Sequence, residues 1–490
     1  MNGAISRLAV FALALLGALI VATTYWQAWA APGLADRQEN AIQRVAQFTI
    51  ERGRIYASDG RTVLATNRAR KVDGQTLYFR RYPTRGLAAH VVGYSTQVRS
   101  RAGLEQSQND FLTGSNANLS TVLDTRVDRL LGRHIVGNDV VTTLDARAQR
   151  VALQALGRNC GSVVAIEPAT GRVLVMASSP TYDPNLVERR FGRINRGVRA
   201  DCPNPSPLVN RATQGAYVPG STFKVVTAAA ALESGRYTME SRKVDPGYCI
   251  EYGRRVNNYD TSSPFGSVTL FQAIQYSINS FFCEIGKDLG PGPIVQEMQD
   301  FGFYSLPLTD LPASELRISG LYKNGKPFEP RDSSQVDPGR LAFGQSELQV
   351  TPLQMALVAA SVANGGVVMQ PHLVDRILGP KGGVVTTTKR RALGRTMSAQ
   401  NAAALSGAME AVVQAGTGTR AQIPGVRVAG KTGTAETGRQ GRNQTAFIAF
   451  APAGAPKVAI AVMLENQTGA GGTTAAPIAK QVMQTLLRTP

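Results

Sequence analysis

The sequence is poor in the side chains on which metal sites and histidine-based catalysis depend. Its 490 residues include 3 histidines and 4 cysteines, and no two cysteines stand in a CxxC spacing. A zinc site would have to be assembled from scattered positions. A Ser-His-Asp hydrolase is also disfavoured, because neither GxSxG nor HExxH occurs and His90, His134 and His372 stand apart. We expect neither a metal nor a cofactor.

The sequence also lacks a long run of charge of one sign. It carries 53 Lys plus Arg against 34 Asp plus Glu, and the resulting net charge of +19 favours polyanionic partners. No run of five or six basic residues occurs, so we expect no nucleic-acid partner. Hydrophobic residues make up 43% of the chain and polar tracts are missing, which excludes global disorder. We interpret the charge as a generally basic exterior.

Long apolar stretches are absent except near the N-terminus. Residues 8–31 carry no charge and follow Arg7, and this stretch is long enough to cross a bilayer. We expect a cytoplasmic tail over residues 1–7, an uncleaved anchor over residues 8–31 and an extracytoplasmic body, since basic residues favour the cytoplasmic side. The prediction is therefore a single-pass protein of the cell membrane. Cleavage of a signal peptide near residues 28–30 stays open as the alternative.

The four cysteines are predicted to lie in the oxidising space outside the membrane. An even number there makes disulfides plausible, with three possible complete pairings. Proximity in the sequence favours the pairs Cys160–Cys202 and Cys249–Cys283.

The hydrophobic pattern changes near residue 140. Residues 32–139 begin with a helix-like stretch at 36–48 and continue as short apolar segments between turns, which predicts a small β-rich domain. Residues 140–490 have stronger periodicity and predict an α/β domain whose sheet comes from the two ends of that segment. The expected strands are 161–167, 172–177, 426–428, 447–450 and 458–464, and the expected helices are 225–233, 270–289, 352–362, 402–413 and 478–487.

A serine and a lysine stand at the start of an Ala-rich helical stretch. Ser221 and Lys224 are three residues apart, so both side chains are predicted on one face of the first turn. This arrangement suits a serine nucleophile with an amine base, provided that burial or another cation lowers the pKa of the lysine. Ser-x-x-Lys is expected about once by chance in a chain of this length, so by itself it is weak.

Two further motifs follow along the chain, and the order of the three motifs is informative. Ser277-Ile278-Asn279 lies in the next helical stretch, and Lys431-Thr432-Gly433-Thr434 follows a predicted strand. The order S-x-x-K, S-x-N, K-T-G is typical of penicillin-recognising serine acyltransferases. With its flanking motifs, nearly the whole chain resembles the class B penicillin-binding proteins of the actinobacterial penicillin-binding protein A type. Those motifs include Arg52-Gly53-Arg54-Ile55, Gly103-Leu104-Glu105, Thr143-Leu144-Asp145, Tyr182-Asp183-Pro184-Asn185 and Asn210-Arg211-Ala212.

The resemblance implies a fold and an activity. The fold is a penicillin-recognising transferase domain with a central antiparallel sheet flanked by helices (140–490), a β-rich pedestal or dimerisation-like domain (32–139) and one transmembrane helix. The activity is that of a monofunctional peptidoglycan D,D-transpeptidase, which β-lactams inhibit by acylating the serine.

The resemblance also implies a role for each motif residue. Ser221 is the nucleophile and Lys224 its base, while Ser277 and Lys431 complete the catalytic set. The substrate is bound by Asn279, Thr432, Gly433 and Thr434, and the backbone N–H groups of Ser221 and Thr434 form the oxyanion hole.

The implied partners are peptidoglycan stem peptides on lipid-linked precursor strands, β-lactams, the membrane and a glycan polymerase of the SEDS class. Three other functions stay open at this stage: a D,D-carboxypeptidase, a class D-like β-lactamase and a non-catalytic scaffold for the polymerase. Residues 425–432 also satisfy the P-loop pattern GxxxxGK[ST]. An ATPase is disfavoured, because no strand is predicted before Gly425 and no helix after Lys431.

Overall fold

The computed structural model describes residues 2–25, 48–115, 136–196, 198–258, 264–330, 332–436 and 441–488. The helices in these ranges are α1 (Asn2–Thr24), α2 (Ala89–Val92), α3 (Gly103–Ser107), α4 (Asn109–Thr113), α5 (Ala146–Leu156), α6 (Arg211–Gln214), α7 (Lys224–Glu233), α8 (Leu270–Gln275), α9 (Asn279–Leu289), α10 (Pro291–Asp300), α11 (Pro338–Ala342), α12 (Pro352–Ala363), α13 (Ala399–Ala415) and α14 (Gly471–Leu487). The strands are β1 (Ile55–Tyr56), β2 (Val63–Val72), β3 (Gln75–Arg81), β4 (Asp139–Thr142), β5 (Gly161–Ile166), β6 (Val173–Ser179), β7 (Arg242–Asp245), β8 (Tyr248–Glu251), β9 (Arg254–Asn257), β10 (Gly266–Thr269), β11 (Gly320–Lys323), β12 (Lys326–Pro327), β13 (Leu348–Gln349), β14 (Val367–Met369), β15 (Val374–Leu378), β16 (Val384–Thr387), β17 (Ala392–Arg395), β18 (Ala429–Glu436), β19 (Asn443–Ala451) and β20 (Val458–Gln467).

A five-stranded antiparallel sheet forms the centre of the larger part of the chain. Its strand order is β18-β19-β20-β5-β6, so β5, the first strand of this sheet along the chain, is a neighbour of β20, the last, as the sequence predicts. Along β20 alternate side chains enter two different apolar clusters: Val458, Ile460 and Val462 enter one, and Ala459 and Ala461 enter the other. Because both faces are covered, residues 458–464 of this strand form an unbroken apolar run, and such a run can be recognised in the sequence.

Helices cover both faces of this sheet. Helices α5 and α14 pack on one face, and the apolar helix α12 packs on the other beside α13. The predicted antiparallel sheet flanked by helices is therefore present. Helix α13 packs on α7 and stands next to β18, the edge strand that carries the last of the three motifs.

A second sheet contains the first four strands of the chain, β1 to β4. Its order is β16-β15-β4-β1-β2-β3, and β1 pairs with β4 in parallel. The hairpin β15–β16 comes from residues 374–387, so the C-terminal segment supplies two strands to this sheet. The domain boundary that we expect between residues 139 and 140 lies inside β4 and stays a prediction.

The N-terminal helix α1 is exposed over Ile5–Thr24. Its segment Ile5–Thr24 is long and apolar enough to cross a membrane, and it is the one such helix among the described residues. Length and composition are thus consistent with a single membrane anchor. The rest of the expected anchor, from residue 26, and the expected juxtamembrane helix up to residue 47 lie outside the described residues.

Two predictions of secondary structure are wrong. The helix expected over 270–289 is two helices, α8 and α9, because Ser277 between them takes a left-handed conformation with φ of 61°. The strand expected over 426–428 begins at Ala429 instead: Val426 lies in a turn, with its amide donating to Ile423 O at 3.1 Å. Lys431 therefore lies within a strand and does not follow one.

Both expected cysteine pairs are present. Cys160 is bonded to Cys202, and Cys249 is bonded to Cys283. The second disulfide joins β8 to α9, the helix that begins at Asn279.

Candidate active site

The turn that carries Ser221 packs directly on β18. Residues Gly220–Phe223 form a 3-10 turn that leads into α7, and side chains three apart eclipse in such a turn, so Ser221 and Lys224 point the same way. Gly220 has φ of 53°, and a Cβ there would lie 2.7 Å from Thr434 O. A Cβ on Gly433 would lie 2.4 Å from Pro219 O. Only glycine permits this approach, which brings the backbone of Ser221 beside that of Thr434.

Lys224 is fully buried and is held by the segment between α8 and α9. Its Nζ donates to Ser277 O at 2.7 Å and to Asn279 Oδ1 at 2.8 Å, and it lies 3.3 Å from Ser277 Oγ. The left-handed conformation of Ser277 breaks the helix at the place where these oxygens face the lysine. The strained residue thus positions acceptors for the amine, which a continuous helix would have used internally.

Lys431 contacts the same serine. Its Nζ donates to Ser277 Oγ at 2.8 Å and to Thr432 O at 3.2 Å, and its side chain is also fully buried. The Ser277 hydroxyl therefore bridges the two lysines. A hydroxyl both donates and accepts, so this bridge offers a path for a proton between the amines.

Burial governs the charge of both lysines. Desolvation holds the pKa of Lys224 well below its usual range, and the nearby charge of Lys431 lowers that pKa further. Desolvation also lowers the pKa of Lys431, to about 7. Both shifts disfavour two full charges in the site and favour a neutral amine that can act as a base.

The Ser221 hydroxyl is half-buried and has no hydrogen-bond partner among the described residues. It lines a cleft of about 850 Å³. Thr432 lines the same cleft, and its hydroxyl forms a hydrogen bond of 2.6 Å with the hydroxyl of Thr417. The backbone and side chain of Thr434 are also held, since Thr434 Oγ1 accepts from the amide of Gly471 at 3.1 Å.

The structure brings all the predicted site residues together. Ser221, Ser277, Asn279, Thr432 and Thr434 line the cleft, and Lys224 and Lys431 lie beneath it through their bonds to Ser277. Gly433 forms the contact with Pro219 described above.

Sequence reasoning missed several residues of the cleft wall. They are Arg255, Phe265, Tyr276, Arg340, Thr417 and Glu436. The position of Tyr276 directly before Ser277 was a signal for that residue. No local sequence pattern indicated Arg255, because its position in the cleft wall depends on the pairing of β9 with β8 and on the packing of that hairpin against α9.

Other chemistries do not fit these positions. Lys431 and Thr432 lie inside the antiparallel strand β18, whereas a P-loop lysine opens a helix after a glycine-rich loop. His90 is buried with its Nε2 2.7 Å from Pro207 O, and neither His90 nor His372 lines the cleft. His134 lies outside the described residues.

Two family models match the chain. The penicillin binding protein transpeptidase domain matches residues 161–484, and the penicillin binding protein A dimerisation domain matches residues 52–140. The chain is 34% identical over 516 aligned positions to peptidoglycan D,D-transpeptidase PbpA of Mycobacterium tuberculosis, covering 100% of this chain and 99% of the relative. It is 32% identical to peptidoglycan D,D-transpeptidase MrdA of Acinetobacter baumannii, covering 85% of this chain and 67% of the relative.

Solved structures agree with these relatives. The ceftriaxone acyl-enzyme complex of penicillin-binding protein A from M. tuberculosis superposes with a TM-score of 0.80 at 33% identity, covering 91% of this chain and 100% of that chain. Its penicillin G acyl-enzyme complex superposes with a TM-score of 0.77 at 34% identity, covering 90% of this chain and 100% of that chain.

Proposed function

Because the chain belongs to the class B penicillin-binding proteins of the penicillin-binding protein A type, we propose that Ser221, Lys224, Ser277 and Lys431 carry out its reaction. The protein is a peptidoglycan D,D-transpeptidase, a serine acyltransferase that cross-links stem peptides and is acylated by β-lactams. The observation that supports the residue assignment is the Ser277 hydroxyl, which contacts two buried lysines beside the Ser221 turn.

In the first step Ser221 Oγ attacks the carbonyl carbon between the two terminal D-alanines of the donor stem peptide. Its proton passes to Lys224, because the lowered pKa of this lysine favours the neutral amine that can accept it. The C–N bond then breaks, and the leaving D-alanine amine takes a proton delivered through Ser277. The donor peptide remains as an ester on Ser221.

Substrate binding uses the rest of the motif residues. Asn279 holds the donor amide, since its Nδ2 has two protons and donates one of them to Asn257 O. Lys431, Thr432 and Thr434 bind the terminal carboxylate with a cation and hydroxyl donors, and Gly433 keeps the strand against the Ser221 turn. The backbone N–H groups of Ser221 and Thr434 stabilise the oxyanion of the tetrahedral intermediate.

In the second step an amine of a neighbouring stem peptide attacks the ester carbonyl. The amine loses a proton through Ser277 toward Lys224 or Lys431, the cross-linking amide forms, and Ser221 recovers its proton as the C–O bond breaks. A carboxypeptidase would use water in place of this amine, and a β-lactamase would use water to hydrolyse the antibiotic ester.

The assignment is tested by intact-mass spectrometry of the protein with benzylpenicillin, followed by peptide mapping and a time course of the adduct. We expect one stable adduct on Ser221, none in Ser221→Ala, and much slower labelling in Lys224→Ala. The exposed Ser267→Ala is the matched control and should label at the wild-type rate. Labelling of Ser221→Ala at the wild-type rate would refute the nucleophile, and rapid adduct loss with hydrolysed drug would indicate a β-lactamase.

We propose the same membrane arrangement as the sequence predicts. Arg7 and the amino terminus support a cytoplasmic N-terminus, and the apolar helix Ile5–Thr24 supports one membrane crossing with the catalytic domain outside. The division into a pedestal (32–139) and a transpeptidase domain (140–490), and docking of the pedestal to a SEDS-class glycan polymerase, are part of this proposal. Co-purification of the full-length chain with such a polymerase from membranes, and its loss on deletion of residues 1–139, tests the partner.

A further inference from the structure

A β-hairpin forms one wall of the cleft. Strands β8 and β9 pair antiparallel, and Arg255 and Asn257, two residues apart on β9, project to the same face. Both residues line the cleft. The wall is joined to the reaction centre at one point, where Asn279 Nδ2 donates to Asn257 O at 2.9 Å.

The guanidinium of Arg255 is held in a defined orientation on this wall. It lies over the ring of Tyr248, with Cζ 3.9 Å from the ring centroid, and its Nε donates to Asn257 Oδ1 at 2.9 Å. The stacking and the hydrogen bond orient the planar group and leave its two Nη atoms available. An arginine that is oriented in advance loses less conformational freedom when it binds an anion.

The charge of Arg255 has no partner carboxylate in the part of the chain that the structure describes. Among the residues that the structure describes, no carboxylate forms an ion pair with Arg255, although its side chain is exposed to the cleft. Arg340, which also lines the cleft, differs because its Nε is 3.2 Å from Asp337 Oδ2. The cleft wall thus presents one oriented and unpaired cation close to Asn279.

We propose that Arg255 binds a free carboxylate on the donor stem peptide, carried by the residue on the amino-terminal side of the two D-alanines. This inference rests on the proposed function, in which Asn279 holds the donor amide. The terminal carboxylate of the donor goes to Lys431, so a second carboxylate needs a second cation. Asn257 is bonded to both Asn279 and Arg255, so the group beyond the bound amide extends along the wall toward the guanidinium. Arg255 thereby selects donors whose carboxylate is free over donors in which it is amidated or missing.

The test compares two antibiotics that differ by one carboxylate. Carbenicillin is benzylpenicillin with a carboxylate on the carbon next to the side-chain carbonyl, the same side of the amide as the proposed group. The second-order acylation rate constants of both drugs are measured with the full-length protein in detergent. The quantity of interest is their ratio, carbenicillin over benzylpenicillin, in the wild type, in Arg255→Gln and in the control Arg340→Gln.

We expect Arg255→Gln to lower this ratio roughly fivefold, the order of magnitude for one partly exposed charged hydrogen-bonding pair. Arg340→Gln should change it by less than about twofold, since the charge of Arg340 is already paired. High salt should lower the wild-type ratio and leave that of Arg255→Gln almost unchanged.

A ratio that is the same in Arg255→Gln and the wild type would overturn the proposal. An equal fall of both rate constants in Arg255→Gln would also overturn it, because Arg255 would then only support the cleft wall. A larger change of the ratio in Arg340→Gln than in Arg255→Gln would overturn it as well. If the wild type is acylated by neither drug, the assignment of Ser221 fails, and that result is distinct from an unchanged ratio.

Discussion

Replacing Lys431 by methionine should change how the stability of the protein depends on pH. The pKa of Lys431 is about 7 in the folded protein, because the side chain is fully buried, against 10.5 for an unperturbed lysine. Between these values the unfolded chain binds a proton that the folded protein does not. The contribution of Lys431 to the free energy of unfolding therefore rises with pH, by about 1.4 kcal/mol per pH unit.

This rise amounts to roughly 5 kcal/mol over the interval from pH 7 to pH 10.5. Below pH 7 both states are protonated and the folded protein carries the full cost of burying the charge. Lys431→Met lacks this group, so the difference between wild type and variant should grow in favour of the wild type as the pH rises. The lost hydrogen bond to Ser277 Oγ adds an offset that does not change the slope. Burial, the largest cause of the lowered pKa of Lys224, is the same in both proteins.

The measurement is urea unfolding, followed by far-UV circular dichroism, at several values from about pH 7 to about pH 10. The exposed Lys457→Met is the matched control, and its difference from the wild type should be independent of pH. A constant difference for Lys431→Met would mean that Lys431 keeps its charge when folded. The inference that burial removes the charge of this lysine would then be wrong.

Three further predictions concern the site and its support. Gly433→Ala should slow acylation by benzylpenicillin about 100-fold, because its Cβ would lie 2.4 Å from Pro219 O and displace the Ser221 turn. The control Gly454→Ala, whose Cβ would have no atom nearer than 3.9 Å, should be acylated at the wild-type rate. Acylation of Gly433→Ala at the wild-type rate would refute the steric argument. The acylation rate constant should rise with pH as Lys224 loses its proton and fall above about pH 7 as Lys431 loses its charge. Lys431→Arg should remove the falling limb, and a limb that persists would belong to another group. Glu105→Gln should cost about 3–5 kcal/mol in urea unfolding, because the buried carboxylate contacts Arg52 at 3.0 Å and Arg80 at 2.6 Å, whereas the exposed Glu240→Gln should cost almost nothing.

Strands and helices that are buried on all sides could be predicted from sequence. The run 458–464 predicts β20 because both faces of the strand are covered, and the apolar run 352–362 predicts α12 for the same reason. The disulfides could be predicted only by proximity, and that guess is confirmed. The helix break at Ser277 could not be predicted, because the apolar periodicity continues through it and the left-handed residue serves contacts to Lys224.

The sequence by itself determined the features that depend on residue identity and short spacing. These are the Ser221–Lys224 pair at one turn, the glycines that allow two backbones to touch, and the apolar N-terminal helix. The tertiary structure alone decided that Ser277 lies between two lysines, one of them 154 residues away in the chain. It also decided their lowered pKa values and the orientation of Arg255 over Tyr248. Such properties depend on distances through space and on the exclusion of water, and neither is encoded in a local pattern of residues.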